Sequence, residues 1–438
     1  MIKITFMGAG SVVFSKNVLG DCLLADSLKN IDIALYDIDA GRLNDSYNVI
    51  CSINNKYNSG ATIKKYIGVE QRKEALRNAD FVINAIHVGG YDPCTITDFE
   101  IPKKYGLRQT IGDTLGIGGI FRGLRTIPVL LDFANDMESV CPNAWFLNYT
   151  NPMAILTGTM LRKTHIKTVG LCHSVQVCVW SLLRSVGMLD QNDDSICSLI
   201  AGINHQSWLL SINKNGKDMY PQIKQRVSEG KIEDKQNLVR LEIMMRFGYY
   251  VTESSEHLSE YLPYFIKSRN PELIEKYNIP LDEYPRRCIE QINYWEDMRK
   301  TLVDNPNLEH KRSPEYASRI IEAMVTNKPY TIGGNTMNNG LITNLPRKAC
   351  VEVPCLVNGN GITPTIVGDL PEQLAAINRT NINPQLLTIE AATNHCKDAI
   401  YQAALLDPHT SAELTIDEII SLCDDLIDAH GNWLPNYN

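Results

Sequence analysis

One rhythm constrains the first half of this chain more than any other feature. Short apolar runs at residues 2–7, 31–37, 81–86, 144–147, 167–171 and 198–203 alternate with helix-length amphipathic stretches such as 71–78 and 176–188. Strands separated by helices pair in parallel and carry those helices on both faces, so the rhythm predicts a doubly wound α/β sheet over residues 1–195. From about residue 221 the pattern lengthens into polar helical segments, including 284–302 and a helix that Ser313-Pro314 would open as N-cap and first-turn pair. A Gly- and Asn-rich, strand-like region spans 331–367 before helices return, and residues 196–438 are expected to form a second, α+β domain. A length of 438 residues suits two packed domains.

Composition narrows the partners. Hydrophobic residues at 44% and charged residues at 21% suit a chain folded throughout. The net charge of -8 comes without a long acidic or basic block, which argues against nucleic acid and against an anionic membrane surface. No run approaches the ~18 apolar residues needed to span a bilayer. The twelve cysteines are scattered, and Met-Ile-Lys-Ile-Thr-Phe opens on a strand rather than a signal peptide, so a reducing cytoplasm is expected. A small molecule is the expected partner.

The first strand runs into Gly8-Ala9-Gly10-Ser11, where small residues let the backbone turn tightly and approach a pyrophosphate at a helix N-terminus. Val13 stands where a third fingerprint glycine would be, and by itself the motif fits an empty strand-to-helix turn equally well. The acid at the end of the second strand, Asp37 in Leu35-Tyr36-Asp37-Ile38-Asp39, supplies the missing context: a carboxylate there holds ribose hydroxyls and repels a 2′-phosphate. Gly8, Gly10, Ser11 and Asp37 are therefore expected to bind NAD, with Asp39 as the alternative acid.

Three later strands end in residues that make poor core. They are Asn148-Tyr149-Thr150-Asn151-Pro152, Cys172-His173-Ser174 and Asn204-His205. Ligands of a parallel sheet bind beyond its carboxyl ends, so these groups are expected to share a crevice with the cofactor. A lone buried Cys or His is ordinarily structural. A thiolate and an imidazole on successive strand ends can instead hold a divalent metal and leave positions open for substrate oxygens, which assigns Cys172 and His205 to a metal.

Those motifs, together with Asp113-Thr114-Leu115-Gly116-Ile117-Gly118-Gly119 and Val351-Glu352-Val353-Pro354, resemble in order the landmarks of glycoside hydrolase family four. The resemblance runs nearly end to end. It implies a Rossmann-like N-terminal domain, a C-terminal domain like that of lactate and malate dehydrogenases, and a homo-oligomer, dimer or tetramer. It also implies a redox route to glycoside cleavage: NAD oxidises the sugar at C3, a metal, expected to be Mn²⁺, polarises the C2 and C3 oxygens, a base removes the C2 proton, the glycosidic oxygen leaves, and water addition and re-reduction follow. The family's Tyr-Leu-x-Tyr pattern falls on Tyr261-Leu262-Pro263-Tyr264, which makes Tyr261 the base and Tyr264 its alternative. His173, after the metal cysteine, takes the place of the acid. Asn148 aligns with sugar and cofactor contacts, and Asn151, Asp113 and Arg287 with substrate contacts.

The stretch 90–99 contains no basic residue to grip a sugar 6-phosphate, so an unphosphorylated substrate is expected. Residues 94–100 and 252–257 look most like the α-galactosidase branch, which points to α-galactosides of the melibiose or raffinose type. The rival readings are another glycosidase of the same family, acting on glucosides, galacturonides or 6-phosphates, and a malate- or lactate-type dehydrogenase.

Overall fold

The computed structural model describes residues 1–190 and 195–438. Six strands pair in parallel in the order β3-β2-β1-β4-β5-β6: β1 (Lys3–Met7), β2 (Asp32–Asp37), β3 (Thr62–Ile67), β4 (Phe81–Asn84), β5 (Trp145–Asn148) and β6 (Lys167–Gly170). Ile4, Phe6, Ile33, Leu35 and Ile83 pack on one face, while Met7, Tyr36, Val82 and Phe146 pack on the other. Both faces are apolar because helices cover both, which is why these strands read as continuous hydrophobic runs. The sequence pattern did not mark β3. Its burial alternates only between exposed and half-buried, as expected of an edge strand carrying Lys64 and Lys65.

The expectation that the apolar run at 198–203 adds a parallel strand is corrected. β7 (Ile196–Ile203) forms an antiparallel hairpin with β8 (Gln206–Lys214), which continues to β9 (Lys217–Asp218) and β10 (Tyr250–Val251). β7 reaches β6 only through β11 (Tyr330–Met337) and β12 (Cys350–Asn358), each antiparallel to its neighbours, with β13 (Gly361–Pro364) folded back on β12. The helix expected to open at Ser313 begins instead at Ala317, because the Ser313 N–H and hydroxyl are both given to Asp21, at 2.9 and 2.6 Å.

One register row runs through the sheet from β2 to β8, from Tyr36 through Met7, Asn84, Asn148, Gly170, Asn335, Glu352 and Gly202 to Ser207. Its polar members are fully buried and bind one another. Asn84 donates to Asn148 at 2.9 Å, Asn335 donates to Glu352 at 2.8 Å, and the Ser207 hydroxyl donates to Glu352 at 2.8 Å. This row sets the nucleotide end and the hairpin end of the sheet at one level.

Candidate active site

The nucleotide end is built from backbone. Gly8 adopts φ 86°, and a Cβ there would lie 2.6 Å from the Ala85 carbonyl oxygen, so only glycine fits between β1 and β4. Gly8 and Ala9 both donate N–H to the Tyr36 carbonyl, at 3.0 and 2.9 Å. A Cβ on Gly10 would meet Asp37 Oδ2 at 2.8 Å, and the Gly10 N–H donates to that same oxygen at 2.6 Å. Ser11, exposed, stands at the N-cap of the helix Val12–Leu24. Small residues, a free helix N-terminus and a carboxylate thus meet in one turn, a set that fits a dinucleotide. Asp39 is engaged elsewhere: it caps the helix Ala40–Tyr57 by accepting from the Arg42 N–H. Asp37 is the acid at the cradle.

The chemical end is built from side chains of distant segments. His205 occupies the two-residue turn between Ile203 and Gln206 in the left-handed region, at φ 62°. That geometry aims its ring at the end of β6. Cys172, His205 and Glu253 offer donor atoms within 4.8 Å of one another, so the sulfur and nitrogen expected to hold a metal do converge. The Cys172 thiol lies 3.1 Å from the Ser174 hydroxyl, and burial with the Glu352 and Glu253 carboxylates raises its pKa well above the usual thiol value. The Tyr261 hydroxyl sits 3.2 Å from His205 Nδ1 and is fully buried. Burial and the Asp113, Glu260 and Glu253 carboxylates push this phenol well above 10, so the chain alone holds it neutral. Tyr264 points outward and is half exposed, which leaves Tyr261 as the tyrosine at the cluster.

Asp113 lies in the interior. It is buried, accepts from Thr114 at 2.7 Å and from the Asn151 amide at 3.2 Å, and lies 3.8 Å from His257 Nε2. Burial works to raise its pKa, but the nearby His257 and the Arg122 guanidinium hold it well below the usual carboxylate range. The loop that carries it is clamped by Glu260, whose carboxylate accepts backbone N–H groups from Thr110 at 2.8 Å and Gly112 at 2.9 Å. Glu260 precedes Tyr261 on the helix Ser255–Tyr261, so one carboxylate fixes the Asp113 loop to the helix of the tyrosine.

Two residues expected at the sugar are engaged within the chain. Asn148 is fully buried and its amide is taken by Asn84, Thr150 and Thr157, which makes it part of the sheet rather than a sugar contact. Arg287 lies on the half-exposed face of the helix Glu283–Leu302, paired with Glu283 at 2.7 Å and Glu256 at 3.4 Å. His173 stands beside Cys172 with its ring 42% exposed and Nε2 2.6 Å from Glu315, whose carboxylate raises the imidazole pKa against the opposing effect of burial. Sequence reasoning missed Glu253, His257, Glu260 and Arg122 as site residues. The first two lie within residues 252–257, so the signal was present as similarity but not as an assigned role.

The model for family 4 glycosyl hydrolases matches residues 3–188, and the model for the family 4 glycosyl hydrolase C-terminal domain matches residues 200–410. An α-galactosidase of Bacillus subtilis (strain 168) is 62% identical over 437 residues, covering 100% of both chains. An α-galactosidase of Rhizobium meliloti (strain 1021) is 35% identical over 99% of this chain and 89% of its own. A 6-phospho-α-glucosidase from gut microorganisms, solved in complex with NAD and Mn²⁺, superposes with a TM-score of 0.79 over 100% of both chains at 20% identity, a likeness of fold.

Proposed function

The chain belongs to the family 4 glycosyl hydrolases, and from that premise we propose that it is an α-galactosidase that uses NAD and a divalent metal, Mn²⁺, on unphosphorylated α-galactosides. The observation that carries this reading is the meeting of Tyr261 with the Cys172 and His205 pair, 3.2 Å from hydroxyl to imidazole, just beyond the Gly170 and Gly202 positions of the register row that leads back to the nucleotide cradle. Residues 1–195 supply the dinucleotide domain and residues 196–438 the hairpin, the tyrosine helix and the surface for a homo-oligomer. No helix among the described residues is long and apolar enough to cross a membrane, and the reading places the enzyme in the cytoplasm.

Gly8, Gly10, Ser11 and Asp37 would hold the dinucleotide, and Cys172 and His205 the cation. When bound, NAD takes up and returns the electrons of the C3 alcohol while the cation polarises the C2 and C3 oxygens, and this makes the C2 proton acidic. A cation at Cys172 and His205 would lower the pKa of the Tyr261 phenol, and the phenolate so formed would accept the C2 proton, as general base. Its rotation is limited by burial and by His205, which keeps the oxygen at one place. His173, whose imidazole pKa is raised by Glu315, gives a proton to the departing glycosidic oxygen. Asp113 and Asn151, linked to each other, present a carboxylate and an amide to sugar hydroxyls. Arg125 offers no phosphate grip, since it is buried and forked onto Asp98 at 2.6 and 3.0 Å. The test is a panel of nitrophenyl α-galactoside, α-glucoside, α-galacturonide and their available 6-phosphates, with NAD⁺ and Mn²⁺ added or withheld. Turnover of the α-galactoside that needs both additions is expected. Preference for a 6-phosphate, or turnover after chelation and removal of NAD⁺, would overturn the reading.

A further inference from the structure

We propose that Glu253 is a third protein ligand of the divalent cation, so that the resting enzyme holds its metal by sulfur, nitrogen and oxygen together. The proposal rests on the reading that Cys172 and His205 bind the cation. Three carboxylates lie near that pair, and two are already engaged. Both oxygens of Glu352 accept hydrogen bonds, from Asn335 and from Ser207, each at 2.8 Å. Asp113 accepts from Thr114 on one oxygen and from Asn151 on the other. Among the described residues, the Glu253 side chain accepts a hydrogen bond from the Ser254 backbone N–H to Oε1 at 3.0 Å, with His257 Nδ1 3.9 Å from that same oxygen, and it turns Oε2 to His205 Nε2 at 3.5 Å.

That separation is informative. It is longer than an imidazole–carboxylate hydrogen bond, which closes to ~2.7–2.9 Å when charge-assisted. It matches the spacing of two donors on one ion, since ligands each ~2.0–2.2 Å from a cation stand ~3–3.5 Å apart unless they are opposite one another.

The segment that delivers Glu253 is fixed before any ligand arrives. Buried Arg240 donates to the Val251 and Thr252 carbonyls at 2.9 and 2.8 Å, and the Thr252 N–H donates to the Ser207 carbonyl at 2.9 Å. The carboxylate therefore leaves a backbone pinned to the same hairpin that carries His205. An oxygen donor also hardens a site that Cys172 and His205 alone would leave soft, moving its preference toward Mn²⁺.

The experiment is a Mn²⁺ titration of the full-length protein with NAD⁺ bound, followed by the electron paramagnetic resonance signal of free Mn²⁺ and by calorimetry, for wild type, Glu253→Gln, Glu253→Asp and Cys172→Ser. The expected result is a Kd raised ~10- to 100-fold in Glu253→Gln and less in Glu253→Asp, with no measurable binding in Cys172→Ser and unchanged NAD⁺ affinity throughout. Glu253→Asp keeps the charge, so it carries the comparison should the glutamine variant fail to fold. Wild-type Mn²⁺ affinity in both Glu253 variants, with Cys172→Ser inactive in binding, would overturn the proposal and leave Glu253 as a sugar contact. Wild-type affinity in Cys172→Ser would instead remove the metal from this cluster, and with it the reading on which the proposal rests.

Discussion

The two ends of this active site are made in opposite ways. The nucleotide end uses residues close in sequence, Gly8 to Ser11 with Asp37 on the adjacent strand, and its working groups are backbone N–H donors, one helix terminus and one carboxylate. The chemical end draws on positions 113, 172, 205, 253, 260 and 261, and its working groups are buried and titratable. A site of backbone and glycine is robust to its surroundings. A site of buried acids, imidazole, thiol and phenol depends on every neighbour for its protonation states. The contrast predicts that single changes at the chemical end cost far more, and cost it in chemistry rather than in cofactor affinity.

The largest effect is expected at Tyr261. Tyr261→Phe keeps the buried ring and removes only the oxygen beside His205, so kcat should fall ~10² to 10⁴-fold while NAD⁺ binding and the thermal midpoint stay near wild type. An equal fall in NAD⁺ affinity would break the contrast, because it would show the two ends to be one energetic unit.

The turn at the nucleotide end was legible in the sequence for a physical reason: a strand, a tight glycine turn and an acid one strand later are local features with local causes. Asp37 and Asp39 could not be separated by position alone. The cap on Arg42 separates them, and only coordinates show it. At the chemical end Cys172, His205 and Tyr261 were legible through resemblance, but the geometric argument for His205 was mistaken. β7 is antiparallel, and His205 reaches the cluster through a left-handed turn rather than from a parallel strand end. Glu260 gave no sequence signal, since its role lies in backbone N–H groups about 150 residues away. Asn148 carried a misleading one: a strand-end amide reads as a ligand contact, and here it holds the sheet's polar row together.

The next effect concerns Glu260. Burial raises this carboxyl to about 7, against His257 and the N–H groups of Gly112 and Thr110. Since the folded value lies above the ordinary 4.5, the stability tied to the protonated acid is complete below that ordinary value and is lost as pH rises through about 7. Measured by urea unfolding against Glu260→Gln, the wild type should therefore lose on the order of 2–3 kcal/mol of relative stability between pH 4 and pH 8. A difference flat across that window would mean that the clamp does not titrate. Because Glu260 positions Tyr261 and the Asp113 loop, Glu260→Gln should also lower kcat more than it raises KM. A loss confined to stability would make it structural only.

Smaller effects sharpen the nucleotide end. Asp37→Asn removes the carboxylate at the Gly10 N–H and should weaken NAD⁺ binding about tenfold while leaving Mn²⁺ affinity unchanged. Asp39→Ala should cost ~1 kcal/mol of stability, the worth of a helix cap, with NAD⁺ affinity intact. Exchange of these two outcomes in calorimetry and thermal melts would show that Asp39 holds the ribose.

The central claim is that Tyr261 removes a proton from sugar C2 in the course of hydrolysis, which no displacement at C1 by paired carboxylates requires. Its most direct test is turnover of an α-galactoside in D₂O, with NAD⁺ and Mn²⁺ present, followed by nuclear magnetic resonance or mass analysis of the released galactose. Deuterium at C2 of the product is predicted, falling with kcat in Tyr261→Phe. Galactose released at full rate with ordinary hydrogen at C2 would contradict the account.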